Sequence, residues 1–296
     1  MKQLYFTLLF FTFSAVLTFA QLEIDIADGM TVETTGGIYI SGVADVNENS
    51  TGYLKGTVES STLSSATEFA GLTLGTPFSG TITRTTGTAF SSSTPKTFLR
   101  SYELNSSSAF TSDVSSKFVS TVGNDEQNGI VTPFIYKKEG TNWTGYNNTS
   151  TTANVASANS VNIPSGVSDI TISEGIGVAA RIFLEGPYTS SAMSTTLNAS
   201  IPLVSPYSED PRTAAAVPGN AVDWVLISLR DQTTPATVVS SRAAFVNSDG
   251  YIIDDSGALH TGVPAGLAGN YHMSIKHRNH LEVMTNLAQS FDWESN

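Results

Sequence analysis

The chain is expected to be all-β, built from β-sandwich domains, and three observations predict this. In Tyr271 to Lys276 the residues Tyr271, Met273 and Ile275 alternate with His272, Ser274 and Lys276, so apolar and polar side chains fall on opposite faces of a strand. Turn signals such as Asn247-Ser-Asp-Gly250 punctuate apolar runs along the chain. Only 14% of residues are charged, and Ser and Thr supply the remaining polarity. That suits exposed strand faces, where β-branched Thr is favoured. Helix signals are nearly absent, with a turn or two expected only over Leu281 to Gln289.

The elements follow in order. Lys2 precedes a largely apolar run from Leu4 to Phe13, interrupted by Thr7 and Thr12, and the small Ala20 closes the leader, so residues 1–20 read as a signal peptide cleaved after Ala20. The run stops short of the roughly 20 apolar residues that span a bilayer. Residues 21–150 read as β-rich. Leu22 to Ile26, Gly37 to Ile40, Tyr53 to Val58 and Phe69 to Leu74 are short and irregularly spaced, fitting either a short β-solenoid or the first strands of a sandwich. Gly80 to Arg84, Thr97 to Leu104 and Thr132 to Tyr136 are better strands, and Phe98, Arg100, Tyr102 and Leu104 share one face. Lys137 to Trp143 reads as a hairpin turning at Gly140.

Residues 151–166 are rich in Asn, Ser, Thr and Ala without periodicity and are expected to form a linker or long loop. A C-terminal sandwich is expected over 167–296. Its first strand is expected over Ile176 to Leu184, and Ile201 to Pro218, with its prolines, reads as an extended crossover. In Val222 to Leu229 both faces are apolar, so this strand should be covered on both sides. Trp224 and Leu226 are expected to pack on the preceding strands, and Ile227, Leu229, Tyr271, Met273 and Ile275 to fill the core.

Gly175 to Tyr188, Val222 to Asp231 and His277 to Thr285 together resemble, in wording and order, the C-terminal region of large Bacteroidetes-type cell-surface proteins that usually carry a type nine secretion sorting domain. The resemblance implies export by that route. In the family an aspartate- and asparagine-rich, calcium-binding-like segment and then the sorting domain follow, whereas this sequence ends at Asn296, as a truncated reading frame or a shortened member would. Leu226 to Ile275 is also similar to transthyretin-like and carboxypeptidase-regulatory sandwiches, although the inserted Leu267-Ala268 departs from their spacing.

Composition bounds the function. The net charge is −12, with no cluster of Lys and Arg, which argues against nucleic acid or anionic membrane surfaces as partners. With no cysteine, an exported chain must be held by core burial and not by disulfides.

Several residue groups could carry chemistry. Asn247, Asp249 and Asp254, with Asp255 beside them, put oxygen ligands in a glycine-turned loop, so calcium is one reading and a plain hairpin the other. Trp143 and Tyr146, with Tyr53 and Trp293, lie in turn-like surroundings where a ring could stack on a sugar or simply cover a sandwich edge. The histidines His260, His272, His277 and His280 invite a metal reading. Their spacing argues against it, with His277 facing inward and His272 and His280 outward and apart. Adjacent acids such as Glu209-Asp210 and Asp254-Asp255 face opposite ways on a strand and cannot flank one glycosidic bond. No nucleophile elbow, phosphate-cradling loop or zinc-protease helix motif is present.

The expected protein is a secreted or cell-surface, non-catalytic structural or adhesion protein, with a carbohydrate-binding accessory protein as the alternative. It needs no cofactor beyond calcium at the loop. Its expected partners are surface glycans or other surface proteins, with no membrane insertion of the mature chain.

Overall fold

The computed structural model describes residues 22–26, 31–33, 37–49, 52–63, 68–87, 90, 96–118, 130, 132–150, 152–259, 261–266 and 268–292. The leader at 1–20, His260, Leu267 and Trp293 lie outside the described residues. The strands of the first half are β1 (Leu22–Ile26), β2 (Thr31–Glu33), β3 (Ile38–Glu48), β4 (Tyr53–Lys55), β5 (Val58–Leu63), β6 (Glu68–Phe69), β7 (Leu72–Leu74), β8 (Phe78–Thr86), β9 (Thr97–Ser106), β10 (Phe110–Lys117), β11 (Pro133–Glu139), β12 (Asn142–Tyr146), β13 (Val155–Ile163) and β14 (Gly166–Glu174). Those of the second half are β15 (Ile176–Val178), β16 (Tyr188–Thr189), β17 (Ala192–Met193), β18 (Ala221–Asp231), β19 (Val238–Asn247), β20 (Ile252–Ile253), β21 (Thr261–Val263), β22 (Gly269–Lys276), β23 (Val283–Met284) and β24 (Gln289–Phe291). A single 3-10 turn at Asn198–Ser200 is the one helical element among the described residues.

The first half is a sandwich, and β3 explains how one run of paired strands makes two layers. Its first part pairs with β5 and continues through β8, β9, β14, β11 and β12, while its last residues pair with β1 and β6 and lead to β7, β10 and β13. Ile82, Leu104, Ile135 and Ile170 from one layer meet Leu74, Val114, Ala158 and Val161 from the other in a shared core. Parallel pairing is confined to β1, β2, β4 and the contacts of β3 with β5 and β6. The hairpin of β11 and β12 turns at Gly140, whose φ of +58° suits a residue without Cβ.

Three boundaries differ from expectation. The expected linker is largely β13, which pairs with β10 from Lys117 to Phe110. Ala156, Ala158, Val161 and Ile163 are the inward residues, and the two small alanines, with a register shift before Val161, hide the strand's period. Strand β14, within the span expected for the C-terminal sandwich, lies between β9 and β11 of the first. The long strand expected over Ile176 to Leu184 is only β15, paired with β21, followed by a single bridge at Arg181.

The second half centres on the sheet β20-β19-β18-β22-β23, with β24 also on β22. One face, bearing Val225, Ile227, Leu229, Ala244, Val246 and Ile275, packs on Ile176, Val178 and Val263, and on Phe134 and Tyr136 of β11. Tyr271 and Met273 are half-buried against it, as their alternation predicts. Strand β11 is thus buried on both faces, because Ile135 points into the first core while its neighbours fill the second.

The other face of β18 is covered differently from expectation. Trp224 and Leu226 lie beneath the proline-bearing segment 201–218, against Tyr207 and Ala214, and not on the preceding strands. This segment is a strap tied down by polar anchors. Trp224 Nε1 donates to the Pro202 carbonyl at 2.8 Å, and the Tyr207 hydroxyl lies 3.1 and 3.2 Å from the carbonyls of Trp224 and Lys276. Burial, aided by the nearby Asp223 charge, pushes the Tyr207 hydroxyl up to about 12. The expected C-terminal helix turn is instead β23 and β24, which pair with β22.

Candidate functional site

The strap stops short of the far end of the sheet, and what it leaves open is a groove of about 360 Å³. Its floor follows from strand register. Ser228 of β18 lies opposite Ser241 of β19 on one side and Ser274 of β22 on the other, so three serines form a row across three strands. The hydroxyls of Ser228 and Ser241 are 2.8 Å apart, and Arg230 Nε donates to Ser274 Oγ at 2.8 Å. Short side chains make the hollow, and long ones make its rim. Lys276 Nζ meets Glu209 of the strap at 2.9 Å, and Arg230 Nη2 meets Glu282 at 2.6 Å. Both carboxyls sit below the usual range, Glu209 chiefly through its bond to Lys276 and Glu282 chiefly through Ser274 and then Arg230. Leu226 and Val238 give apolar surface at the groove's two ends. Sequence reasoning missed this site. Its signal, Ser at 228, 241 and 274, becomes visible only once the register of three strands is known.

The residues singled out from the sequence are placed elsewhere. Asn247 is buried and its Oδ1 accepts from the backbone N–H groups of Asp249 and Tyr251, closing the turn. Asp254 Oδ1 accepts from the backbone of Ser256 and Ala258. Asp249 is exposed, and Asp255 turns away to pair with Arg212. These oxygens cap separate turns and do not converge on one point, and no group of three or more metal-ligating side chains is found among the described residues. The calcium loop is therefore a pair of side-chain-capped turns.

Trp143 and Tyr146 do not form one platform, since residues three apart on β12 point to opposite faces. Trp143 packs edge-on against Phe90 at 5.4 Å and joins the second core, whereas Tyr146 packs on the first. Tyr53 is buried beneath the guanidinium groups of Arg84 and Arg100.

The described histidines also depart from expectation. His277 is buried as expected, and its Nε2 lies 3.2 Å from the Asp223 carboxylate. Arg278 pairs with the same carboxylate at 2.8 Å. Burial alone would raise the Asp223 carboxyl; His277, the Trp224 N–H and Arg278 outweigh it and hold it low. His280 is not remote, because the chain turns after β22 and brings its Nδ1 within 2.8 Å of His277 Nδ1. His272 is buried and bonds the Thr285 carbonyl at 2.9 Å, since β23 and its flanks cover that face.

Two further charged clusters are internal. Glu48, 2% exposed, meets Arg84 and Arg100, each at 2.7 Å, and accepts the Leu54 N–H at 2.9 Å. In the second half, Asp210 Oδ2 accepts the Ala243 N–H at 2.8 Å while Arg212 Nε donates to the Ala243 carbonyl at 3.1 Å. Two side chains of the strap thus satisfy both backbone groups of one residue on the open side of β19, which protects that edge from pairing with other chains. Burial outweighs the nearby arginines and raises the Asp210 carboxyl, and it lowers Arg242, beside it and over Phe134, to about 10.

No protein-family model, curated protein or solved structure matches the chain.

Proposed function

We propose that the chain is a secreted or cell-surface protein with a non-catalytic, structural or adhesive role. The observation that carries this reading is the use of its charged side chains as internal cross-links. Glu48 joins β3 to β8 and β9, Asp223 joins β18 to the turn after β22, and Asp210 and Arg212 join the strap to β19. A chain without cysteine gains from such links the fixed shape that an exported scaffold otherwise draws from disulfides. The leader, with Lys2, the apolar run from Leu4 and Ala20, supports export. The sorting route implied by resemblance belongs to the same proposal.

Fractionation of the source cells tests it. The mature chain should begin at Gln21, by intact mass, and should be lost when intact cells are treated with protease. Recovery inside the cells with Met1 to Ala20 retained would overturn the reading. One observation favours a second reading, a carbohydrate-binding accessory protein: the serine-floored groove with mixed charges on its rim.

A further inference from the structure

We propose that the groove over Ser228 and Ser241 is a binding site for a neutral saccharide, an inference that rests on the second reading and gives it an address. Three features select the ligand class. First, the floor carries the Ser228 and Ser241 hydroxyls, 2.8 Å apart; a hydroxyl can donate one hydrogen bond and accept two, so the pair keeps capacity beyond its mutual bond. Second, the rim carries two cations, Lys276 and Arg230, and two carboxylates, Glu209 and Glu282, so its formal charge sums to zero. An anionic or cationic ligand would satisfy one half of that rim and be repelled by the other. A polyol supplies both donors and acceptors and matches the alternation. Third, Val238, 47% exposed, gives the C–H face of a sugar ring something apolar to rest on.

Other occupants fit less well. A peptide cannot add as a strand at the centre of the floor, because β18 is already paired on both sides, with β19 and β22. The groove's volume lies near the lower end of the roughly 300–1,000 Å³ typical of small-ligand clefts, which suits a saccharide end or short unit. Both rim pairs are at least partly exposed, and exposed pairs of this kind are worth only about 0–1 kcal/mol. A sugar hydroxyl can therefore insert between the partners at small cost.

Saturation-transfer NMR and calorimetry on the purified full chain test the site, with gluco-, galacto-, manno- and xylo-oligosaccharides as probes at up to about 20 mM, the range in which weak ligands register. At least one neutral probe should bind, and Lys276→Ala and Glu282→Ala should each weaken it at least tenfold with an unchanged melting temperature. An oligogalacturonate and an oligolysine of matched length should bind more weakly. Three results would each overturn the site: no neutral probe binds; a charged probe or an extended peptide binds better; or Trp143→Ala abolishes binding while the rim variants do not. Because the measurement is on purified protein, a chain found at the cell surface that binds no sugar sinks only this inference. One that binds sugar but stays inside the cell sinks only the proposal of export.

Discussion

Replacing Glu48 by Gln removes one charge from a cluster that has no access to water. The side chains of Glu48, Arg84 and Arg100 are 2%, 0% and 1% exposed, so the three together carry a net +1, which the substitution raises to +2. Breaking a buried pair by removing one partner costs about 3–5 kcal/mol, because the remaining charge stays desolvated. Glu48→Gln should fall near 3 kcal/mol. Arg84 keeps the Leu54 carbonyl and Arg100 keeps the Ala70 carbonyl at 3.1 Å, and the Gln amide oxygen can still accept the Leu54 N–H. The pH dependence gives an independent signature. Burial by itself would raise the Glu48 carboxyl, but Arg100, Arg84 and the Leu54 N–H outweigh it and hold it below its ordinary value of 4.5. A carboxyl depressed in the folded state stabilises fully above its unfolded pKa and loses that contribution as pH falls through the folded value. Urea unfolding of wild type and variant should therefore differ most above about pH 5 and converge in acid. A difference below about 1 kcal/mol at neutral pH, or parallel acid slopes in the two proteins, would refute the buried-cluster argument.

Three further outcomes are expected. Ile227→Ala, in the packed face of β18, should cost about 2–5 kcal/mol through lost burial and a cavity, read by the same unfolding assay; under 1 kcal/mol would put that face in solvent. A fragment beginning at Gly175 should lack a cooperative transition in calorimetry, since Phe134 and Tyr136 of β11 complete its core; a sharp transition would show two independent units. Adding a chelator should leave the melting temperature unchanged, and Asp249→Asn should not alter that, because Asn247 and Asp254 already accept backbone N–H groups in separate turns; a drop cured by calcium would reverse the assignment.

How much of this was legible depends on whether a signal is local. Alternation on β9 was visible because one face is buried, so Phe98, Tyr102 and Leu104 fell where the period put them; on β22 Tyr271, Met273 and Ile275 did face the core, but His272 and Ser274 on the polar face are buried as well, which the period did not show. Arg100 fit the same face, although nothing local showed that Glu48, far away on β3, would receive it. Strand β13 was hidden because Ala156 and Ala158 at inward positions carry little hydrophobic contrast and the alternation shifts register before Val161 and Ile163. The both-faced burial of β18 was legible, but the partners were exchanged: the strap covers Trp224, and β11 with β15 and β21 covers Ile227. The candidate residues failed for a related reason. Trp143 and Tyr146 looked adjacent as a string, and strand geometry sent them into two different cores.

The strap is what links fold to candidate site. Tyr207, Asp210 and Arg212 fix it over the half of the sheet nearest β20, where β18 and β19 present Trp224, Leu226, Ala243 and Phe245. Where the strap no longer reaches, those same strands switch to Ser228 and Ser241, and β22 places Ser274 in line with them. A sheet face meant only for water can carry long charged chains at every such position, as they cover more of the backbone beneath. Here Arg230 covers Ser274 and meets Glu282, and Lys276 meets Glu209 at the strap's own flank, so the long chains rim the hollow at Ser228 and Ser241. Hydrophobic cover and serine floor are two halves of one face, and the position of Glu209 on the strap sets the boundary between them.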